Sequence, residues 1–332
     1  GLVVVDEQHR FGVEQREALR LKGRQPPHVL VLTATPIPRT VAMTVFGDLE
    51  TSTLTELPAG RSPISTTVVP AADKPEWLER VWRRIREEVG KGHQAFVVCP
   101  RIGVEPTVSE ADLDGDLGDF PADEFTGRRP AVAVLDTFDL LTEGPLHGLR
   151  IAPLHGRLLS DEKDRTMTAF ADGRIDVLVA TTVIEVGVDV PNATVMAVLD
   201  AERFGLSQLH QLRGRIGRGS APGVCLLVTD QIDGSPSRER LDAVAATTDG
   251  FELARLDVEQ RREGDILGAA QSGRRSQLKL LSLLRDEDLI VRARQEATEL
   301  VAVDPELSKY PLLAAELAVL AADDRAEFLE KG

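Results

Sequence analysis

Basic residues are in the minority in this chain of 332 residues, with 39 Lys and Arg against 54 Asp and Glu and a net charge of -15. That excludes a uniformly cationic surface of the kind that neutralises nucleic-acid phosphates. It leaves room for a local basic track. Aromatic residues are also scarce, at 4%, so the 42% of residues that are hydrophobic must pack mainly as Val, Leu, Ile and Ala. The two cysteines, Cys99 and Cys225, lie in the apolar runs AFVVC and VCLLV. They are too few for a disulfide framework or a cysteine-bound metal, and read as small buried hydrophobes in a reducing compartment. No apolar run approaches a membrane span, and no secretory leader is visible. The chain starts on Gly1 with a strand directly behind it, which reads as a truncated N-terminus.

The length suggests about two domains. Charge is unevenly spread. Arg101–Pro145 holds eleven acids against three Arg, whereas Arg203–Arg218 holds four Arg and no acid. β-branched runs alternate with helical stretches through the first two thirds of the chain. LVVV (Leu2–Val5) and HVLVLT (His28–Thr33) read as strands, with helices at Val13–Leu21 and Pro38–Met43. A Pro/Gly/Thr-rich linker follows over 51–63. The runs ISTTVV, QAFVVC, LRIAPL, DVLVAT, TVMAVL and GVCLLV then predict a parallel sheet covered by helices, notably Lys74–Val89 and Ser160–Phe170, the latter with Ser160 as N-cap. The expected class is α/β. An acidic stretch at 104–129 reads as a surface insertion. From Asp230 onward the pattern is helical, with candidates at Arg238–Ala246, Phe251–Arg262 and Leu278–Leu284 and a helical tail over Glu287–Lys331.

Four strings carry chemistry. Asp6-Glu7-Gln8-His9 follows the strand LVVV, and functional side chains gather at the carboxyl ends of parallel strands. Asp6 there suits Mg²⁺, and Glu7 suits activation of a water that attacks a γ-phosphate. Taken alone, the pair is equally an acidic start to a helix. Thr33-Ala34-Thr35-Pro36 follows the next strand, where small hydroxyls can sense His9 or a carboxylate, or simply make a turn. Ala180-Thr181-Thr182 through Gly187, Asp189 and Pro191 ends DVLVAT. Its hydroxyls suit a nucleic-acid phosphate and Gly187 and Asp189 a ribose, the plain alternative being a turn after a strand. The most specific string is Gln211-Leu212-Arg213-Gly214-Arg215-Ile216-Gly217-Arg218. Its glycines permit close backbone approach and its guanidinium forks fit phosphate oxygens. A basic nucleic-acid patch without catalysis is the competing reading.

The order DEQH, TATP, ATTVIEVGVDVP, QLRGRIGRG resembles motifs II, III, V and VI of superfamily 2 helicases. The extended strings DEQHRFGVEQR, LTATPIPRTVAMTVFGDL, ELPAGRSPI, LHGRL and DVEQRREGDILGAAQSG resemble the RecG family, bacterial helicases that remodel stalled forks and branched recombination intermediates. The resemblance implies two RecA-like lobes, the first partial (1–57) and the second complete (64–230). A helical hairpin and loop for translocation (231–285) and a helical tail (286–332) would follow. It implies ATP and Mg²⁺ as cofactors, with Asp6 on the metal, Glu7 as general base, and Gln8 and His9 relaying nucleotide state towards Thr33 and Thr35. Arg215 and Arg218 would face the γ-phosphate, with Gln211 beside them. Thr181 and Thr182 would follow the DNA backbone and Arg213 would add to the DNA contact. In the hairpin segment, Arg240, Glu259, Arg261, Gly264 and Gln271 match the family pattern. The usual Arg-Gly-Pro-Gly is here Arg261-Arg262-Glu263-Gly264, two charged residues in place of a Gly-Pro turn.

The implied partners are forks and Holliday junctions, with single-stranded DNA-binding protein as a further one. The implied state is a monomer, bacterial, cytoplasmic and nucleoid-associated, with no membrane partner. The string G-x-x-x-x-G-K-[ST], which cradles phosphates in such motors, does not occur in the sequence. The 332 residues alone are therefore expected to hydrolyse ATP negligibly. Two alternatives stay open. The transcription-repair coupling translocase shares the hairpin but usually reads DEEH where this chain has Gln8. A non-catalytic DNA-binding module would have no use for Asp6, Glu7 and both finger arginines.

Overall fold

The structure, a computed structural model, describes residues 1–6, 27–32, 52, 54, 62–103, 131–185, 189–260 and 286–319. Within these, the chain divides into two compact units. One takes in the described residues up to 260, and the other residues 286–319. The first unit thus runs on past Asp230, the expected end of the second lobe, and includes both helices that follow it.

Strands β1 (Leu2–Asp6) and β2 (His28–Leu32) pair in parallel, with Asp6 opposite Leu32. Leu2, Val4, Leu30 and Leu32 are exposed on one face of this pair, following the period of two along a strand.

The larger sheet contains six parallel strands in the order β3-β8-β7-β4-β6-β5. They are β3 (Ile64–Pro70), β4 (Gln94–Val98), β5 (Ile151–Leu154), β6 (Val177–Ala180), β7 (Ala193–Val198) and β8 (Gly223–Thr229). The central β4, β6 and β7 are buried along their whole length, which explains why they read as unbroken apolar runs. Alternation then splits the core in two. Phe96, Val98, Leu178, Met196 and Leu227 pack on one face, beneath Phe204, Leu209, Leu212, Leu241 and Val244. Ala95, Val97, Val179, Val195 and Ala197 face the other, against Val81, Ile85, Val134 and Leu141. Fully burying one such side chain stabilises by about 1.5–3 kcal/mol. Phe96 and Phe170 meet as tilted rings with centroids 4.9 Å apart. Both cysteines are buried within these layers, and burial pushes both thiols up to about 12.

Helices α1 (Pro75–Gly90), α2 (Val134–Glu143), α3 (Ser160–Ala171), α4 (Leu206–Arg213), α5 (Pro236–Ala246) and α6 (Gly250–Gln260) connect and extend the sheet. Two starts differ from expectation. Ser160 is the first helical residue rather than the cap. The cap is Leu159, whose N–H donates to Glu162 Oε2 at 3.3 Å. Helix α5 begins two residues before Arg238 because Pro236 fits the first turn and Ser235 Oγ accepts from Arg238 N at 3.3 Å. The tail is broken as well. Helix α7 (Glu287–Val303) stops before Asp304-Pro305, and helix resumes over 311–319. Proline disfavours helical geometry in the residue before it, and Asp304 sits at φ -139, ψ 78. The expected helices at 13–21, 38–43 and 278–284 and the acidic stretch lie outside the described residues. Among the described residues no helix is long and apolar enough to cross a membrane.

One charge cluster sits at the amino end of β4 and β7. Glu88, 4% exposed at the end of α1, meets Lys91 at 2.8 Å, His93 at 2.7 Å, Arg84 at 3.1 Å and Thr194 Oγ1 at 3.1 Å. Burial alone would raise its pKa. The hydrogen bonds from Lys91, His93 and Thr194 and the charge of Arg84 win, and hold it at about 2, below the ordinary 4.5. A carboxylate with a depressed folded-state pKa stabilises above the unfolded value and loses that contribution as pH falls towards the folded one. Unfolding free energy is therefore expected to drop between pH 4.5 and 2, by about 3 kcal/mol at most. Denaturant titrations across that range, in the wild type and Glu88→Gln, check it; the Gln variant should show a flatter slope.

Candidate functional site

Because the six strands are parallel, their carboxyl ends share one edge, where the Ala180-Thr181-Thr182 string leaves β6, and the arginine run lies at the other edge, against the start of β3. The ladder runs one residue past the strands at the carboxyl edge. Cys99 N donates to Ala180 O at 2.8 Å, Thr181 N to Leu154 O at 3.2 Å and Leu199 N to Val98 O at 2.8 Å. In the two-stranded sheet, Asp6 closes β1 at the corresponding end. Glu7, Gln8, His9, Thr33, Thr35, Gly187, Arg261, Gly264 and Gln271 lie outside the described residues, and Glu259 falls in the last turn of α6.

Helix α4 leads into the glycine-spaced arginine run. Gly205 caps it, donating its N–H to Gln208 Oε1 at 3.2 Å. Leu209, Leu212 and Ile216 anchor it in the core. Gln211 and Arg215 are half-buried, and the Arg215 N–H closes the turn on Leu212 O at 2.9 Å. The glycines serve packing. Gly217 has φ +70, and a Cβ there would lie 2.7 Å from Ile64 Cγ1. A Cβ on Gly219 would lie 2.4 Å from the Pro191 carbonyl oxygen. Ser62 Oγ donates to Gly219 O at 2.9 Å. Only glycine lets this loop press against both the start of β3 and the Asp189–Pro191 segment.

That close approach brings Asp189 and Arg218 together. Arg218 Nη1 lies 3.3 Å from Asp189 Oδ1, and Arg218 Nε donates to its own loop at Gly214 O, 3.0 Å away. A guanidinium carries five N–H donors, so three stay available on a side chain that is 26% exposed.

Other expected contacts are placed differently. Arg213 is 3% exposed. Its Nη1 donates to Val244 O and Thr247 O, both at 2.7 Å, and its Nη2 lies 2.9 Å from His210 Nδ1. This corrects the expectation of a DNA contact at Arg213: the guanidinium is turned into the protein, onto the carbonyl end of α5. Thr181 and Thr182 are 2% and 8% exposed, so their hydroxyls lie below the surface rather than on a DNA track. Arg240 reaches inward too, its Nη2 donating to Glu202 O at 2.9 Å.

Sequence reasoning missed a buried charged turn just before α4. Asp200 adopts φ +49 at 2% exposure. Its Oδ2 accepts from Val132 N at 2.9 Å and lies 3.5 Å from Arg203 Nε. Glu202 is 6% exposed. Burial raises its pKa against the opposing hydrogen bonds of Thr229 and Gln231. The string Asp-Ala-Glu-Arg looks like a solvated loop. Its one usable signal was its position directly behind a fully buried strand.

Comparison with known proteins follows the same map. A family model described as helicase conserved C-terminal domain matches residues 124–220, and one described as ATP-dependent DNA helicase RecG, domain 3, C-terminal, matches residues 247–320. The chain is 54% identical over 333 residues to the ATP-dependent DNA helicase RecG of Mycobacterium tuberculosis, covering 100% of this chain and 43% of that protein. To the RecG of Bacillus subtilis it is 43% identical over 303 residues, covering 91% of this chain and 40% of that one. A solved structure of RecG bound to a three-way DNA junction superposes with a TM-score of 0.60 at 35% identity, over 87% of this chain and 33% of that one. The chain thus spans less than half the length of these relatives. The six-stranded sheet with its helices is a RecA-like helicase fold.

Proposed function

Because the chain belongs to the RecG family of ATP-dependent DNA helicases, we propose that it forms part of a motor that couples ATP hydrolysis to the remodelling of branched DNA. The observation that carries this is the loop after α4. It holds Arg218 beside Asp189 at the amino edge of the six-stranded sheet with donors to spare, while Asp6 ends a strand of the smaller sheet. An acidic chain can serve such a motor where it keeps a stretch such as 203–218, with four Arg and no acid.

The residues fit ATP and Mg²⁺. Magnesium is typically held by one or two carboxylates together with substrate phosphates, and Asp6 supplies one such carboxylate. Bound there, the metal would neutralise charge on the β- and γ-phosphates. Glu7 would orient and deprotonate the attacking water, and Gln8 and His9 would report nucleotide state to Thr33 and Thr35. Arg215 and Arg218 would stabilise the charge that develops on the transferred group, with Gln211 beside them. The family-specific match over residues 247–320 favours a RecG-type role over the coupling translocase. The substrates we infer are forks and Holliday junctions.

In a protein of the relatives' full length, ATP should drive unwinding of a three-way junction, and Glu7→Gln should lower ATP turnover by about 100-fold, at the low end of what a general base contributes. Turnover retained in the Gln variant removes Glu7 from the role. ATPase that no branched DNA stimulates removes the substrate class.

A further inference from the structure

We propose that Asp189 is a positioning residue for Arg218: its carboxylate holds the guanidinium in the direction from which it meets the γ-phosphate. The proposal rests on the motor reading above.

Three observations carry it. First, the contact is built by the backbone. Gly219 approaches the Pro191 carbonyl so closely that no side chain fits between them, and Gly217 is likewise pressed on Ile64 and Ser62 O. The Asp189–Pro191 segment and the arginine loop are thereby locked side by side. Second, Arg218 is gripped at two points, Nε by Gly214 O at 3.0 Å and Nη1 by Asp189 Oδ1 at 3.3 Å. Two anchors on a planar group fix its plane as well as its place. The donors left over keep that fixed plane able to receive phosphate oxygens. Third, a purely stabilising role explains the pair poorly. The Asp189 side chain is 56% exposed, and exposed ion pairs contribute little to stability. A residue that aims a catalytic arginine needs geometry rather than burial, since misdirection by a fraction of a bond length forfeits transition-state stabilisation.

This assignment differs from a ribose contact at Asp189, and kinetics separates the two. A ribose ligand acts on nucleotide binding and on discrimination at the sugar hydroxyls. A positioning residue for the finger acts on turnover. In the full-length protein, DNA-stimulated ATPase is measured for wild type, Asp189→Asn, Asp189→Glu, Arg218→Ala and the double variant Asp189→Asn/Arg218→Ala, with ATP and with 3′-deoxyATP.

The expected result is a drop of about tenfold in kcat for Asp189→Asn, the scale of one hydrogen bond to a charged group. KM for ATP should stay within about twofold, and the preference for ATP over 3′-deoxyATP should not change. Asp189→Glu should recover part of the loss, and the Asn change should add nothing once Arg218 is gone. Thermal unfolding of the Asn variant close to wild type confirms that the fold is intact. Unchanged kcat, a rise in KM with altered sugar preference, or full additivity with Arg218→Ala overturns the proposal. A wild-type protein without ATPase overturns the motor reading instead.

Discussion

Arg218→Ala in the full-length protein is expected to lower DNA-stimulated ATP turnover by about 10³-fold, the low end of what an arginine finger supplies, with junction affinity changed by about twofold or less. The expectation follows from where its donors go. Nε and one Nη1 hydrogen are spent within the loop and on Asp189, and the side chain stays 26% exposed. Alanine removes the cation and leaves Gly214 O without its donor. That carbonyl lies on the half-buried edge of the loop, where water can replace the missing donor, so the stability cost should be about 1 kcal/mol or less. Arg218→Lys should not rescue turnover. A point charge cannot hold Gly214 O and Asp189 and still present two parallel donors to phosphate. Arg215→Ala should also fall steeply in turnover, because the loop places it three residues earlier on the same turn. Steady-state ATPase alongside junction binding separates the effects. If Arg218→Ala turns over ATP at near wild-type rate while binding junctions normally, the loop is not the finger, and the basic run must be read as a nucleic-acid patch.

The sheet was legible because its physics is local. The runs QAFVVC, DVLVAT and TVMAVL are buried on both faces, and no other arrangement suits a continuous apolar strand of that length. Strand order was not legible. The crossover that puts β4 between β6 and β7 depends on which helices cover which face. The arginine run stands out in the sequence, but where each of its side chains goes does not. Arg213, Arg215 and Arg218 look equivalent on paper. Helix α4 ends at Arg213, so that side chain still points along a helix face towards α5, whereas Arg218 sits beyond the Gly217 reversal and faces the Asp189 segment. A change of backbone sign at one glycine decides which arginine is buried and which is presented. The same limit hid Asp200. Nothing in its neighbours announced a left-handed φ at a buried acid, though Asp is among the few side chains that tolerate it.

Arg213→Ala should act on stability. Helix α5 has no basic residue in its own last turn, so the partial negative charge at its carboxyl end needs a cation from elsewhere. Arg213 supplies it across the core, with Val244 O and Thr247 O on one nitrogen and His210 Nδ1 on the other. Burial pushes its pKa down, yet a guanidinium keeps its charge in proteins, so His210 Nδ1 must be the acceptor. Truncation leaves two carbonyls and a ring nitrogen in a space that water reaches poorly. Each such group costs about 1–3 kcal/mol, which puts the destabilisation near 3 kcal/mol and the fall in Tm at roughly 6–12 °C for a lobe of this size. Arg213→Lys should recover less than half, because one ammonium does not span all three acceptors. DNA binding gives the decisive contrast. Removing a side chain that touches phosphate would lower the slope of log affinity against log salt by about one, whereas the folded Arg213→Ala protein should keep that slope. A reduced slope with unchanged Tm would return Arg213 to the DNA surface. The same pairing also has a mechanical meaning. Gly250, at the start of α6, lies so close to His210 that a Cβ would sit 2.9 Å from Nε2. Arg213 and His210 together therefore bind the helix that carries the arginine run to α5 and α6, and any rotation of that helix must be carried into both.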